Sequence, residues 1–363
     1  MQDPDTLRAI IRNSIQRKGP LTFRDFMEMA LYHPDFGYYT SSQPKLGQAG
    51  DYYTSCYVTG LFGELLALQF EEMWLALDRR PFTIVEYGAG TGLLCRDILC
   101  RLQENTDLYE KLNYFIIEKS GAMRARERLH LPEKVEWKES IDEIAPVAGC
   151  IFSNELVDNF AVHRVTMTDQ LMEICVGYDG DFVEILRPAP AVLQDYLIRM
   201  NVELPPGYRA EVNLEATRWI REIGRALRRG WVMTIDYGYP AAALYRKPSG
   251  TLACYRRHQA HFSPYEYIGE QDITAHVNFT ALDYWGRMEG LAVSGYTSQT
   301  HFLQGLGLAD RLRIREKNGI TANDRAILNT FLLKMGPKFK VLIQHKGVEK
   351  VRLFGLVFSD LLR

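Results

Sequence analysis

Apolar positions in the first sixty residues follow a helical period. In residues 6–16 leucine and isoleucine recur every three or four positions, and the pattern ends at Gly19. A second helical pattern begins at Thr22. Residues 33–55 then carry glycine, tyrosine and serine without a period, which is typical of a surface loop. The sequence therefore predicts two short helices followed by a loop that is a candidate lid over a ligand site.

From about residue 62 onward, short apolar runs alternate with amphipathic segments. The apolar runs predict strands at 83–87, 114–118, 149–153 and 231–236. The segments with a helical period lie at 62–77, 93–103, 120–130 and 211–228. Strands that alternate with helices at this spacing form a parallel sheet with right-handed crossovers. We therefore expect an α/β fold built on a doubly wound, Rossmann-like sheet.

Three segments depart from this rhythm. Residues 161–187 alternate between apolar and polar positions and predict an inserted antiparallel meander, with strands at 162–167, 172–178 and 182–186. Residues 240–310 are interpreted as loop and helix. The runs at 339–344 and 351–358, joined by a turn at Lys346-Gly347, predict a closing antiparallel hairpin.

These patterns divide the chain of 363 residues, which is long enough for one elaborated domain or two. Residues 1–60 form a helical N-terminal extension with the lid loop. Residues 61–363 form the α/β domain. We expect this domain to be interrupted by the meander insertion at about 161–205 and by a loop and helix segment for the substrate at about 240–335.

The composition is that of an ordinary globular protein, with 47% hydrophobic and 24% charged residues. The 43 basic and 45 acidic side chains nearly cancel, which excludes a nucleic-acid-coating protein or a polybasic membrane binder. No apolar run approaches the roughly 18 residues of a membrane span. The acidic start at residues 1–5 is unlike a targeting peptide. We therefore expect a cytoplasmic protein without membrane insertion or a nucleic acid partner, and oligomer statistics favour a homodimer.

The sharpest local motif is a glycine turn, Glu86-Tyr-Gly88-Ala-Gly90-Thr-Gly92, between a predicted strand and a predicted helix. Such glycines let a ligand approach the backbone, and the helix N-terminus offers free N–H groups. The dinucleotide fingerprint would need glycine at position 93, which is Leu93. The spacing E-x-G-x-G-x-G is instead associated with S-adenosylmethionine (SAM). The alternatives are that the turn is only a turn and that Glu86 caps the helix.

Two more acidic residues support a cofactor site. Glu118 ends the strand after the glycine turn, where a carboxylate can accept both hydroxyl groups of a ribose. Asp142, in Ser140-Ile-Asp142, lies where the next strand-to-helix loop would flank an adenine. We therefore predict that Glu118 and Asp142 bind the cofactor together with Glu86 and the three glycines.

A pair of carboxylates follows the strand predicted at 149–153. Glu155 and Asp158 are three positions apart, so a turn of helix would present both to one spot. A guanidinium group with forked N–H donors suits such a pair. Asn154 precedes them and is a candidate substrate ligand. The alternative is that Asn154 and Asp158 cap the following helix.

Other acceptor-side candidates lie further along the chain. Asp236 and Tyr237 end the next core strand, at the sheet edge where we expect Glu155, and are candidate substrate residues. His276 is a candidate base or positioning group, although a lone histidine is more often structural. No His, Asp or Glu cluster has the spacing of metal ligands, and the six cysteines form no zinc pattern, so we predict no metal.

The chain resembles the MidA-type SAM-dependent methyltransferases, a family that includes protein arginine methyltransferases. The likeness covers nearly the whole chain in one order. Besides the glycine turn, the motifs that carry it are His33-Pro-Asp-Phe-Gly-Tyr-Tyr39, Gly50-Asp-Tyr-Tyr-Thr-Ser55, Leu61-Phe-Gly-Glu64, Asn154-Glu155 with Asp158, Ile235-Asp-Tyr-Gly238, Gly250-Thr-Leu252, Tyr255-Arg-Arg-His258, Asp272-Ile-Thr-Ala-His276 and Gly305-Leu-Gly307. The resemblance implies a class I methyltransferase fold, SAM as cofactor with Thr54 among its ligands, and a protein substrate.

The chain also departs from the family pattern. Cys56-Tyr57 stands where Pro-Glu is usual, Ala89 and Thr91 where Pro and Arg are common, and Asn159-Phe-Ala161 replaces Ala-Leu-Pro. The resemblance predicts methyl transfer by in-line displacement to an arginine nitrogen of a protein. Two alternatives stay open: a small-molecule methyltransferase, and a SAM-binding assembly factor or scaffold whose catalysis is vestigial.

Overall fold

The computed structural model describes residues 6–40, 60–317, 336–349, 352–359 and 362. Its helices are α1 Leu7–Lys18, α2 Phe23–Tyr32, α3 Leu61–Ala76, α4 Leu93–Leu102, α5 Thr106–Lys111, α6 Gly121–Glu127, α7 Ala191–Arg199, α8 Leu214–Ala226, α9 Ala241–Leu244, α10 Phe279–Met288, α11 Gln299–Gly305 and α12 Leu308–Lys317. Its strands are β1 Leu21–Thr22, β2 Phe82–Tyr87, β3 Leu112–Ile117, β4 Val135–Lys138, β5 Val147–Asn154, β6 His163–Met167, β7 Leu171–Asp179, β8 Asp181–Pro188, β9 Arg209–Val212, β10 Leu227–Tyr239, β11 Ala253–Arg256, β12 Gln259–His261, β13 Asp272–Thr274, β14 Val277–Asn278, β15 Ala292–Ser298 and β16 Phe339–Lys346.

The two N-terminal helices form where the sequence predicts them, because local capping defines their starts. Thr6 caps α1 by accepting a hydrogen bond from the Ala9 amide, and Thr22 caps α2 by accepting one from the Asp25 amide at 3.0 Å. Gly19 ends α1 in a backbone conformation with φ of 83°. The predicted loop that follows lies mostly outside the described residues, at 41–59.

The central sheet has the spatial order β15-β16-β10-β5-β2-β3-β4. The five strands from β10 to β4 are parallel, and β16 is antiparallel to both of its neighbours. Helices α3, α4 and α11 pack on one face of the sheet, and α8 and α10 pack on the other. The predicted doubly wound α/β sheet is therefore confirmed. The strands β2, β3 and β5 begin and end within two residues of the predicted limits, whereas β10 begins four residues earlier and ends three residues later.

The predicted closing hairpin is wrong in its second strand. The strand β16 pairs with β15, which precedes it in the chain, and residues 354–356 form a short 3-10 helix instead of a strand. The segment that forms β15, Ala-Val-Ser-Gly-Tyr-Thr-Ser, was expected to be loop and helix. It is an edge strand in which only Ala292, Val293 and Tyr296 are apolar, and serine, glycine and threonine separate them, so it lacks the hydrophobic run that predicts a buried strand.

A second, antiparallel sheet has the order β1-β7-β6-β9, with β8 beside β7. The three strands predicted for the meander are present as β6, β7 and β8. The N-terminal segment adds β1 to this sheet, and α1 and α2 pack on it. A small sheet, β12-β11-β13, also lies in the stretch expected to be loop and helix, so that expectation is wrong there. The division into domains drawn from the sequence stays a prediction.

Candidate active site

A cavity of about 460 Å³ lies at the carboxyl ends of β2, β3, β4 and β5. The floor comes from the loops that leave these strands: residues 86–91, 117–119, 139–141 and 154–156. The walls come from the N-terminal helix α2 and from α8. Pockets of this size at the carboxyl edge of an open parallel sheet are where α/β proteins bind small ligands.

The three glycines of the turn all have left-handed backbone. Their φ angles are +68° at Gly88, +63° at Gly90 and +78° at Gly92, which residues with a Cβ rarely adopt. A Cβ on Gly88 would lie 2.7 Å from Leu156 Cδ1, so this glycine also lets the turn pack closely against the loop after β5. Gly88 and Gly90 line the cavity, whereas Gly92 lies just before α4 and does not.

The Glu86 carboxylate is buried at the floor of the cavity and does not cap α4. It accepts a hydrogen bond of 2.7 Å from the Tyr114 hydroxyl. Burial raises the pKa of Glu86 to about 7, and the hydrogen bond from Tyr114 opposes that rise. A positively charged ligand beside this side chain would stabilise its ionised form.

The next two loops place further polar groups on the cavity. Glu118 lines it, and one oxygen of Glu118 accepts a hydrogen bond of 2.7 Å from the Ser120 amide, which orients the carboxylate. In the following loop Ser140 and Ile141 line the cavity, but Asp142 is exposed and is not among the lining residues. The structure therefore brings Glu118 to the cofactor region and leaves Asp142 beside it. Thr54 lies outside the described residues.

These groups fit an adenosine-containing cofactor with a cationic centre. A glycine turn with left-handed backbone offers a close approach to N–H groups, Glu118 offers an oriented carboxylate for a ribose, and Glu86 offers a buried acid. The cavity volume is within the usual range for small-molecule sites, about 300–1,000 Å³.

The loop after β5 carries Asn154 and Glu155 into the same cavity. Glu155 has a φ of +54°, which is uncommon for a residue with a Cβ, and the Asn154 side-chain amide donates to its Oε1 at 3.2 Å. Left-handed backbone at a non-glycine residue persists only where surrounding contacts impose it, and it is frequent at active sites. The strain is therefore consistent with a functional role for Glu155.

Asp236, which was expected to contact substrate, is fully buried and holds this loop instead. Its Oδ2 accepts hydrogen bonds from the amides of Leu156, Val157 and Asp158, at 3.2, 2.8 and 3.4 Å. Its Oδ1 accepts one from the Tyr237 amide at 2.8 Å. With these contacts Asp236 connects the end of β10 to the loop that carries Glu155, and its side chain does not reach the cavity surface.

Asp158 is buried behind Glu155 and does not line the cavity. Its Oδ1 has no hydrogen-bond partner among the described residues. Burial raises the pKa of Asp158 well above its usual range, and the carboxylates of Asp236, Asp272 and Glu155 raise it further. The sequence placed Asp158 on a helical turn, and it lies in a single 3-10 turn, Val157–Asn159.

Tyr237 lies near both Asp158 and His276. The charges of Glu155 and Asp158 act on Tyr237, and the imidazole of His276 is nearly parallel to the Tyr237 ring at 6.3 Å between centroids. Burial lowers the pKa of His276 to about 4, so the ring is neutral at physiological pH. Neither residue lines the cavity.

Sequence reasoning missed the walls of the cavity. From the N-terminal region Arg24, Glu28, Tyr32 and Tyr39 line it, and from α8 the lining residues are Glu215, Arg218, Trp219 and Glu222. The α8 residues carry a signal, because charged side chains at 215, 218 and 222 recur on one helical face. For the N-terminal residues the only available signal was the tyrosine-rich motif at 33–39.

Tyr39, one of these missed residues, connects the cofactor loop after β3 with the carboxylates near Glu155. The Tyr39 hydroxyl donates to Asp272 Oδ1 at 2.9 Å, and the Asn159 side-chain amide donates to the same oxygen at 2.9 Å. The Tyr39 carbonyl accepts a hydrogen bond from the Ser120 hydroxyl, two residues after Glu118. Tyr39 therefore contacts both the cofactor loop and the carboxylates near Glu155.

The parallel sheet, the glycine turn and the acidic cavity define the class of SAM-dependent methyltransferases. The family model that matches the chain is that of an S-adenosyl-L-methionine-dependent methyltransferase family (Methyltransf_28), over residues 65–297. The chain belongs to this family and is a SAM-dependent methyltransferase.

Solved and curated relatives agree with this assignment. A COG1565 superfamily member from Burkholderia thailandensis, solved with S-adenosyl-homocysteine bound, is 30% identical, with a TM-score of 0.89 over 98% of this chain and 95% of that chain. The mitochondrial protein arginine methyltransferase NDUFAF7 of Mus musculus is 27% identical over 89% of this chain and 79% of its own length. The Homo sapiens protein of the same name is 26% identical over 89% and 78%.

These relatives correct the expected location. The prediction of a cytoplasmic protein is wrong, because the curated relatives are mitochondrial. Near-neutral charge does not distinguish the two compartments, so the composition could not have decided this. Within the described ranges no helix is long and apolar enough to cross a membrane. The homodimer stays a prediction.

Proposed function

We propose that this methyltransferase transfers a methyl group to a guanidinium nitrogen of an arginine in a protein substrate. The observation that carries the proposal is Asp158, a buried carboxylate with an unpartnered oxygen beside three other carboxylates. Buried carboxylates in such a cluster repel one another, and a cation between them would relieve that repulsion. The relatives named protein arginine methyltransferases support the same acceptor.

A guanidinium is a better match than a metal ion for this cluster. No group of three His, Cys, Asp or Glu side chains in the described part of the chain has the arrangement of a metal site. A planar guanidinium distributes its charge over three nitrogens and binds carboxylates that are farther apart than metal ligands. Glu155 lies at the cavity and Asp158 behind it, so together they suit a side chain that enters from the cofactor side.

The bound cofactor supplies a methyl group that is activated by the positive charge on sulfur. The carboxylates of Glu155 and Asp158 would hold the guanidinium charge on nitrogens that do not react, which leaves the attacking nitrogen with an available lone pair. As the new N–C bond forms, the S–C bond to the methyl group would break, S-adenosyl-homocysteine would leave, and the attacking nitrogen would lose one proton. Glu155 lines the cavity and would accept this proton, whereas Asp158 lies behind it.

The test uses Glu155→Gln and Asp158→Asn in the full-length chain, with tritiated SAM and an arginine peptide, Ac-Gly-Arg-Gly-amide, as acceptor. We expect each variant to lose about 100-fold in kcat while its Kd for S-adenosyl-homocysteine changes less than about twofold. The exposed Glu104→Gln is the matched control and should behave like the parent.

The other functional readings are outcomes of this experiment. Methylation of a small amine, with no labelling of the peptide or of mixed cellular proteins, would identify a small-molecule methyltransferase. Cofactor binding without transfer to any acceptor, unaffected by Glu155→Gln, would identify a scaffold with vestigial catalysis. Either result would overturn the arginine proposal.

A further inference from the structure

A cluster of three charged side chains joins three elements at the cofactor cavity. The Glu215 carboxylate on α8 lies 3.2 Å, through Oε1, from the Lys119 ammonium in the loop after β3. Through Oε2 it lies 3.7 Å from the Arg24 guanidinium on α2. All three side chains line the cavity, and Lys119 directly follows Glu118, the carboxylate placed at the cofactor region. We call these three residues the Glu215 clasp.

The clasp lies on the solvent side of the cavity. Glu86 at the floor is buried, whereas the Lys119 side chain is 74% exposed. The side chains of Glu215 and Arg24 are 18% and 30% exposed. The ion pairs of the clasp therefore lie between the buried floor and solvent, where a ligand passes as it enters or leaves.

The two helices that the clasp joins do not share a hydrophobic core. The buried apolar residues of α2 pack with α1 and the second sheet, and those of α8 pack with the central sheet and α10. Among the described residues, no buried apolar residue of α2 belongs to the cluster that contains α8. At the clasp the two walls are thus connected by charged side chains, which can separate without loss of buried apolar contacts.

Both cations can leave Glu215 at low cost. Arg24 has other carboxylates on its own helix, Asp25 at 3.0 Å and Glu28 at 3.7 Å, so it keeps partners when it moves away. Lys119 is mostly exposed, so water solvates its ammonium once the ion pair breaks. Partly exposed ion pairs of this kind are weak, and they form and break readily.

We propose that the Glu215 clasp is a gate for cofactor exchange, so that SAM enters and S-adenosyl-homocysteine leaves when its ion pairs are broken. This inference rests on the SAM site and does not depend on the identity of the acceptor. Every contact of the clasp is between groups of the chain, so its loss raises the rates of entry and release by a similar factor and leaves Kd nearly unchanged. A carboxylate that held the cofactor itself would instead change the release rate and Kd together.

The test measures the association and dissociation rates of S-adenosyl-homocysteine by surface plasmon resonance on the full-length chain. In Glu215→Gln we expect both rates to rise about fivefold while Kd changes less than about twofold, because two partly exposed ion pairs are lost. Lys119→Gln breaks one of the two pairs and should raise both rates about twofold.

The ionic strength supplies a second measurement that needs no variant. S-Adenosyl-homocysteine carries one positive and one negative charge, so salt affects its own encounter with the protein little. Raising the ionic strength from about 0.05 to 0.5 M screens the clasp and should raise both rates in the parent protein. In Glu215→Gln the same change of salt should have little effect on either rate.

The matched control is Glu289→Gln. The Glu289 carboxylate is 14% exposed and also pairs with two cations of α8, Arg221 at 2.8 Å and Arg225 at 3.1 Å, but it does not line the cavity. It removes the same charge from the same helix, and both exchange rates should stay at the parent's values.

Unchanged rates in Glu215→Gln, or rates in the parent that do not respond to salt, would overturn the gate. A faster release with an unchanged association rate would also overturn it, because Glu215 would then hold the cofactor or its loop. Equal effects of Glu289→Gln would show a general effect of charge on α8 and overturn it too. Failure of the arginine proposal is a separate outcome, since it appears as absent labelling of the peptide and leaves these rates unaffected.

Discussion

Four residues of the site hold backbone conformations that most residues avoid: Gly88, Gly90, Gly92 and Glu155. At the glycines the absence of a Cβ makes the left-handed conformation inexpensive. Glu155 has a Cβ, so surrounding contacts must impose its left-handed backbone. One of them is the hydrogen bond that the Glu155 amide donates to the Ile235 carbonyl. The individual residues thus show where the fold accepts local strain to shape a binding surface.

Gly88 offers a test of that strain. We expect Gly88→Ala to weaken binding of S-adenosyl-homocysteine at least tenfold in calorimetry, because the new Cβ would displace Leu156 and the turn. The matched control is Gly180→Ala, which has a similar φ of +72° but open space around the new Cβ. It should lose about 1 kcal/mol of stability and keep full affinity. Equal affinity of both variants would contradict the assigned role.

The raised pKa of Glu86 predicts a pH dependence of stability. The folded protein keeps the Glu86 proton up to a pH of about 7, whereas the unfolded chain releases it near the ordinary value of 4.5. The unfolded state therefore binds fewer protons in this window, and the free energy of unfolding falls as pH rises from about 4.5 to 7. Glu86→Gln should fall less steeply in urea titrations between pH 5 and 8. Parallel curves for the two proteins would contradict this.

At the scale of elements, the end of β10 determines the conformation of the loop after β5. The two strands are parallel neighbours, and Asp236 reaches from one to the backbone of the other. Three amides that would otherwise lack partners share one carboxylate oxygen, so the loop and the strand form one unit. The position of Glu155 therefore depends on a buried residue that does not line the cavity.

Asp236→Asn tests this positioning role. The amide presents only one acceptor oxygen to four N–H donors, so we expect a loss of about 1–3 kcal/mol in the free energy of unfolding. We also expect kcat for the arginine peptide to fall at least tenfold, with KM for SAM nearly unchanged. Asp107→Asn, which breaks an exposed pair with Lys111, should cost less than about 0.5 kcal/mol and leave kcat unchanged. Equal losses in kcat and cofactor affinity for Asp236→Asn would indicate general damage instead.

At the scale of the whole molecule, the cavity is assembled from segments far apart in the chain. The N-terminal helix α2 belongs to the layer that packs on the second sheet, yet its side chains Arg24 and Glu28 line the cofactor cavity. The Arg24 guanidinium lies 3.7 Å from the Glu215 carboxylate on α8, and this ion pair connects α2 with α8 at the cavity wall. Cofactor binding should therefore stabilise helices of both layers, α2 on the second sheet as well as α8 on the central sheet.

Hydrogen exchange measures this coupling. Adding saturating S-adenosyl-homocysteine should slow amide exchange in residues 23–32 and 214–226 as well as in the turn at 86–92, because all three segments line one cavity. Helix α7, at residues 191–199, lies outside the lining and serves as the internal control. Protection confined to the loops after β2, β3 and β5 would show that α2 and α8 do not take part in binding.

The sequence alone determined the features that depend on near neighbours in the chain. The caps at Thr6 and Thr22, the alternation of strands and helices, and the glycine turn are set by residues within a few positions of one another, so periodicity and motif spacing predicted them. Glu118 reaches the cavity because it ends a strand, which the same local pattern shows.

Only the tertiary structure decided which distant segments meet. The pairing of β15 with β16, the role of Asp236, and the walls from α2 and α8 arise from contacts between residues far apart in the chain. An edge strand without a continuous hydrophobic run, such as β15, owes its conformation to the strand it pairs with, and a buried carboxylate owes its role to the amides it contacts. Neither carries a local pattern, because the energies involved belong to contacts made only after folding.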